Sequence, residues 1–148
     1  MNLNIQIESF ESSKKIIQPN DTIRVIVTTF PDDQSQAINI DVKTIEQTQP
    51  VFTVGVTKLT KKIIIVFRKK SNSKKDLIIG STIIRSDQFP NKINDKYNTE
   101  MRSIPIYEPF PNDSGKNISI LENRKILGKM EVRIALSEIS QSENNTYL

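Results

Sequence analysis

Apolar residues alternate with polar residues in one segment of this chain after another, and this alternation limits the possible folds more than any other feature. The apolar positions are Leu3, Ile5 and Ile7, then Ile23, Val25 and Val27, then Ile38, Ile40 and Val42, and finally Met130, Val132, Ile134 and Leu136. Successive side chains of a β-strand point to opposite faces, so a period of two predicts a strand with one buried face. We therefore expect a chain built mainly of half-buried strands.

Segments rich in β-branched and aromatic residues add further strands to the alternating ones. They lie at residues 51–56, 61–68, 77–85 and 101–107, and the last alternating segment extends over 127–136, which gives eight predicted strands. No segment combines helical periodicity with capping residues at both ends, and the best short candidate, at 86–97, contains Pro90. The sequence predicts an all-β fold, an eight-stranded antiparallel sandwich of two sheets.

The run at residues 63–67 is apolar on both faces, so it predicts a central strand of one sheet. The side chains predicted to be mainly buried are Val54, Ile63, Ile65, Phe67, Val132 and Ile134. A chain of 148 residues buries about two-thirds of its unfolded surface around one core. We therefore predict one sandwich domain over residues 1–137 and a polar tail or linker at 138–148, with long loops at 86–100 and 108–125.

The chain contains no cysteine and no histidine. Their absence removes disulfides, thiolate nucleophiles, cysteine-ligated metals and the histidine-activated nucleophiles of common hydrolases. The four glycines are isolated, so no glycine-rich phosphate loop is present. We predict a protein that is not an enzyme, with no cofactor, no metal and no small-molecule substrate. Because the first twenty residues contain charges and no long apolar run, we expect a cytoplasmic location, with peripheral membrane association as an option.

One segment of the chain, residues 58–75, is strongly basic. It contains no acidic residue and eight basic ones, Lys58, Lys61, Lys62, Arg68, Lys69, Lys70, Lys74 and Lys75. The chain carries a net charge of +4 and this segment +8, so the remainder carries −4. Such segregation favours an acidic partner, either an anionic phospholipid surface or an acidic protein, although a solvated loop is an equally good interpretation. The segment's polar tip has no aromatic residue for base stacking, so we predict no nucleic-acid binding.

A second class of function is a protein–protein interaction module or scaffold. Its candidate surfaces are the edge strands and the segment "YEPFPNDSGKN", in which Tyr107 and Phe110 flank prolines. An exposed aromatic residue there would anchor a partner. Phe110 is more simply explained as a side chain that covers one end of the core. The sequence does not predict an oligomeric state.

The order of these segments, from Leu3 to Leu136, resembles that of the C2 domain family. The matching pieces are "LNIQI", then "DTIRVIV", "TQPVFTVGV" and "KKIIIVF", and after a long loop "DLIIG" and the closing "LGKMEVRIALSE". The resemblance implies an eight-stranded sandwich whose loops at one end contact membranes or proteins. In members that bind calcium, that end carries several acidic ligands.

The acidic ligands of the resemblance are mostly missing here. Asp21 and Asp76 occupy two of the family's acidic positions, but Arg68 and Lys70 stand where further aspartates are expected, and Glu11 is the only acid of the first loop segment. Calcium needs about 6–8 oxygen ligands, and fixed cations repel it. We therefore expect the calcium-independent type. The simpler roles for the two aspartates are a backbone-bonded turn for Asp21 and neutralisation of neighbouring lysines for Asp76.

Overall fold

A computed structural model describes residues 1–12, 17–18, 20–69, 77–90, 92–93, 96–97, 99–109 and 124–138. The main strands are β1 (Asn2–Ser12), β2 (Thr22–Phe30), β3 (Ser35–Asp41), β4 (Val51–Gly55), β5 (Lys62–Lys69), β6 (Leu77–Arg85), β9 (Thr99–Tyr107) and β10 (Ile126–Ser137). Between β6 and β9 lies a small hairpin of β7 (Lys92–Ile93) and β8 (Lys96–Tyr97). The prediction of eight principal strands is confirmed.

The eight main strands follow the order β3-β2-β5-β6-β9-β10-β1-β4, and all neighbours run antiparallel. The halves β3-β2-β5-β6 and β9-β10-β1-β4 face each other across the core, which makes the fold a sandwich. Among the described residues, β6 and β9 meet at a single residue pair, Ser81 and Tyr107. On the opposite side, the backbone N–H of Thr53 in β4 donates to the side-chain oxygen of Gln36 in β3, at 2.9 Å.

The core lies between the two halves and contains all six side chains predicted to be buried: Val54, Ile63, Ile65, Phe67, Val132 and Ile134. Complete burial of such a side chain contributes about 1.5–3 kcal/mol. The outward-facing Ile64 and Val66 of β5 are also buried, against the partly buried Ile78 and Ile83. The prediction of a central strand that is apolar on both faces is therefore confirmed for β5.

Local details differ from the sequence prediction at three places. Strand β3 ends at Asp41, and Val42 begins a 3₁₀ turn (Val42–Thr44) that continues into a one-turn helix, α1 (Ile45–Thr48). The sequence did not predict α1, because four residues are too few for a periodic pattern. At 86–97 the described residues form a 3₁₀ turn (Ser86–Gln88) and the small hairpin. Phe110 and residues 139–148 lie outside the described residues, so the role of Phe110 and the domain boundary stay predictions.

Candidate functional site

The basic residues of the 58–75 segment lie at both ends of β5 rather than on one surface. Lys62 begins the strand and Lys69 ends it. At about 3.3 Å per residue, the strand separates them by roughly 23 Å. The expectation that all eight basic residues lie together on one side is therefore wrong. Lys58, Lys61 and Lys62 belong to one end of the sandwich, here called the Leu59 end, and Arg68 and Lys69 to the other, here called the Asp21 end.

Four further candidate residues, Lys70, Lys74, Lys75 and Asp76, lie outside the described residues. They follow Lys69 in the chain and precede β6, which starts at the Asp21 end, where Leu77 pairs with Lys69. Their assignment as anion-binding or acidic positions stays a prediction.

Asp21 closes the turn that leads into β2. One oxygen of its carboxylate accepts a hydrogen bond from the backbone N–H of Gln18, at 2.7 Å, and contacts Lys69 Nζ at 3.0 Å. The Gln18 N–H and the Lys69 ammonium lower the pKa of Asp21, against a smaller opposing effect of desolvation. The backbone-bonded turn that the sequence suggested for Asp21 is present, and the same carboxylate ties the start of β2 to the end of β5.

Two arginines face each other on the outer surface of the Asp21 end. Arg24 of β2 is directly paired with Arg68 of β5, and both point away from the core because their neighbours Ile23, Val25 and Phe67 are buried. Directly opposed side chains have Cβ atoms about 5 Å apart. Within the described part of the chain neither guanidinium forms an ion pair, and the buried Nε–H of Arg68 has no acceptor.

The acids of the Asp21 end do not converge. Glu11 lies in β1 rather than in a loop, opposite Lys129 of β10, whose Nζ is 3.9 Å from its carboxylate. The described residues contain no group of three or more acidic side chains that could hold a metal ion. The part of the end that is described is thus dominated by cations, two of which, Arg24 and Arg68, have no acidic partner there.

The Leu59 end is built around the turn that joins β4 to β5. The hydroxyl of Thr60 accepts from the Thr57 N–H at 3.0 Å and donates to Asp32 at 2.8 Å. The Thr57 hydroxyl accepts from the Leu59 N–H at 3.1 Å. The Lys61 N–H donates to the Phe30 carbonyl at 2.8 Å, which joins the turn to the end of β2. Leu59 thus stands at the apex of a turn that side-chain and backbone hydrogen bonds fix.

Apolar and basic side chains alternate on the surface of the Leu59 end. Leu59 is 72% exposed and Phe30 is 44% exposed. Lys62 places its Nζ 4.9 Å from the centre of the Phe30 ring, within reach of a cation–π attraction. Lys58 and Lys61, on either side of Leu59 in sequence, are exposed. The turn therefore presents one apolar apex among three lysines.

Sequence reasoning missed three residues that define these two ends. Arg24 is the only charged side chain in the β2 segment "TIRVIVTTF", which marks the outward face of β2 but not its partner. Phe30 and Leu59 gave no signal, since isolated apolar residues are common on protein surfaces. Within the described ranges no helix has the length and apolar character needed to cross a bilayer.

The sandwich is similar to a solved C2 domain, the first of the C2 domains (domain A) of plant extended synaptotagmin 1. The two structures superpose with a TM-score of 0.59 over 94% of this chain and 96% of that one, at 11% sequence identity. No protein-family model and no curated protein sequence matches this chain. The chain has the C2 fold, as the order of its sequence segments predicted, and at this identity the similarity concerns the fold alone.

Proposed function

We propose that this chain is a non-enzymatic C2-like module that docks reversibly to anionic membrane surfaces, without calcium, through the cationic surface of the Asp21 end. The observation that carries the proposal is the direct pairing of Arg24 with Arg68 across β2 and β5. Like charges directly opposite each other destabilise a sheet. A phosphate group bound between them would relieve that repulsion, and it would offer an acceptor to the Arg68 Nε–H, which has none among the described residues.

The chemistry of the pair fits phospholipid headgroups. Guanidinium groups bind phosphate through two parallel hydrogen bonds, which adds geometry to charge. Each basic residue near an anionic leaflet contributes about 1 kcal/mol of attraction. Lys69 borders the pair, and Lys70, Lys74 and Lys75, which follow it in the chain, are proposed to extend the surface. Binding of this kind is reversible and goes with a cytoplasmic protein that visits the membrane.

Independence from calcium is proposed because the carboxylate of Asp21 is already engaged. It holds Lys69 at 3.0 Å, so a cation would have to displace an ammonium that is fixed at the end of β5. Arg68 adds positive charge beside it. Thermal melts with excess calcium and with chelator should coincide, since an ion that binds only the native state raises its stability. A higher midpoint in calcium would contradict this part of the proposal.

The docking test is co-sedimentation with phosphatidylcholine vesicles that contain or lack phosphatidylserine. Binding should require phosphatidylserine at low salt and should be largely lost at about 1 M salt, where the Debye length is about 3 Å. The double variant Arg24→Gln/Arg68→Gln should lose roughly tenfold or more in vesicle affinity. The matched control is Lys129→Gln/Arg133→Gln, which removes the same charge from the outer face of β10, where both side chains already contact acids.

Two results would contradict the proposal. Equal losses in the double variant and the control would mean that only net charge matters and that no site exists at Arg24 and Arg68. Failure of the unmodified chain to bind any anionic vesicle at low salt would leave the alternative of a protein–protein interaction module, tested by binding to an acidic protein surface.

A further inference from the structure

We infer that the Leu59 end is a second docking surface, separate from the Arg24–Arg68 surface, and that its partner is the interface of an anionic lipid bilayer. Leu59 enters the acyl-chain region, and Lys58, Lys61 and Lys62 remain at the level of the headgroups. The inference does not rest on the Asp21 end, because roughly 23 Å of strand β5 separates the two surfaces.

The first argument is the rigidity of the exposed apex. A leucine that merely lacks a buried site usually lies on a loop that can fold it against the surface. Here the Leu59 N–H is bound to the Thr57 hydroxyl at 3.1 Å, and the Thr60 N–H to the Thr57 carbonyl at 3.2 Å. Thr60 is itself buried and bound to Asp32. The turn therefore holds Leu59 outward in one position, so insertion would cost little conformational entropy.

The second argument is the distribution of charge around the apex. Residues 56–62 contain three lysines and no acid. Of the two acids in the neighbouring β2–β3 turn, Asp32 faces inward, with one oxygen bonded to Thr60 and the other buried, whereas Asp33 is exposed. Lysine stems lie along apolar surface while their ammonium groups stay in water. Three lysines behind an apolar apex therefore match the order of charge and hydrocarbon in an anionic leaflet.

The shape of the surface favours a bilayer over a protein partner. Leu59 is the most exposed of the large apolar side chains in the described part of the chain, and it projects from a turn rather than lining a groove. A protein partner would need a pocket that fits this apex, whereas a lipid interface adapts to a convex shape. Phe30, joined to the turn through the bond from Lys61 N–H to its carbonyl, supplies a second apolar contact beside the apex.

The test uses the absence of tryptophan from this chain. The variant Leu59→Trp places a single indole at the apex, and Met101→Trp is the matched control, because Met101 is 67% exposed and is flanked by an ion pair of Glu100 with Arg102. On phosphatidylserine vesicles with brominated acyl chains, emission from position 59 should shift to the blue and be quenched. Emission from position 101 should change little.

An affinity measurement completes the test. Leu59→Ser should weaken vesicle binding roughly tenfold, and the loss should persist at high salt because it is hydrophobic, while Met101→Ser should bind as the unmodified chain does. Quenching at position 59 that survives in the Arg24→Gln/Arg68→Gln background supports this surface even if the Asp21 end proves inactive. Vesicle binding without any quenching at position 59 overturns the inference and leaves the proposed function standing. Absence of all vesicle binding overturns both.

Discussion

The two ends of the sandwich differ in what holds their cations and in what lies between them. At the Asp21 end, Arg24 and Arg68 stand opposite each other on strand faces, and Asp21 restrains Lys69. At the Leu59 end, Lys58 and Lys61 flank an apolar apex that a hydrogen-bonded turn holds outward. The first end offers charge on a sheet surface, and the second offers a projecting side chain among charges. Both belong to one basic segment of the sequence, so neighbours in sequence serve different surfaces.

The largest expected contrast between the ends concerns two glycines. A Cβ at Gly128, at the Asp21 end, would overlap the carbonyl oxygen of Glu11 and approach Ser12 Cα to 2.8 Å, whereas a Cβ at Gly55, at the Leu59 end, meets nothing within 4 Å. Gly128→Ala should therefore lower the free energy of unfolding by about 2–3 kcal/mol. Gly55→Ala should change it by less than about 0.5 kcal/mol. Urea denaturation measures both, and equal effects would show that β1 and β10 are less tightly apposed than described.

A smaller effect is expected at the turn of the Leu59 end. Thr60→Val keeps the shape of a buried side chain but removes the hydroxyl that binds Thr57 and Asp32. The free energy of unfolding should fall by about 1–2 kcal/mol, because the Asp32 oxygen loses its donor. Thr60→Ser, which keeps the hydroxyl, is the control. If both variants unfold alike in urea, the hydroxyl does not hold the turn, and the rigid presentation of Leu59 loses its support.

The smallest effect is expected at the clamp of the Asp21 end. Asp21→Asn should cost no more than about 1 kcal/mol, since the ion pair with Lys69 is partly exposed. The folded-state pKa of Asp21 lies below its unfolded value. Its contribution is therefore complete above the unfolded pKa of about 4 and is lost as the pH falls through the folded pKa.

The pH dependence gives the clamp its check. The gap in unfolding free energy between the unmodified chain and Asp21→Asn should be open at pH 7 and close below about pH 3. Lys43→Gln, a charge change on the exposed 3₁₀ turn at the same end, should show no such dependence. A gap that stays constant with pH would mean that the aspartate acts through the shape of the turn and not through its charge.

Much of the fold could be predicted from local pattern. The boundaries of β6 were predicted to the residue, because Leu77 to Arg85 is bounded by polar residues on one side and by a turn on the other. The six predicted core residues were correct because strand periodicity and burial are linked by the geometry of the pleat. The end of β3 was misplaced at Val42, since an apolar residue continues the alternation equally well in a strand and in a 3₁₀ turn.

The sequence by itself determined the all-β class, the central place of β5 and the positive charge of the 58–75 segment, because each of these follows from composition or from a period of two. Only the tertiary structure decided which charges lie together. Register across β2 and β5 brings Arg24 to Arg68, although the two lie far apart in sequence. The length of β5 moves Lys62 away from Lys69 within the same short segment. Hydrogen bonds between strands join distant residues and hold near ones apart, and no local pattern in the sequence contains that information.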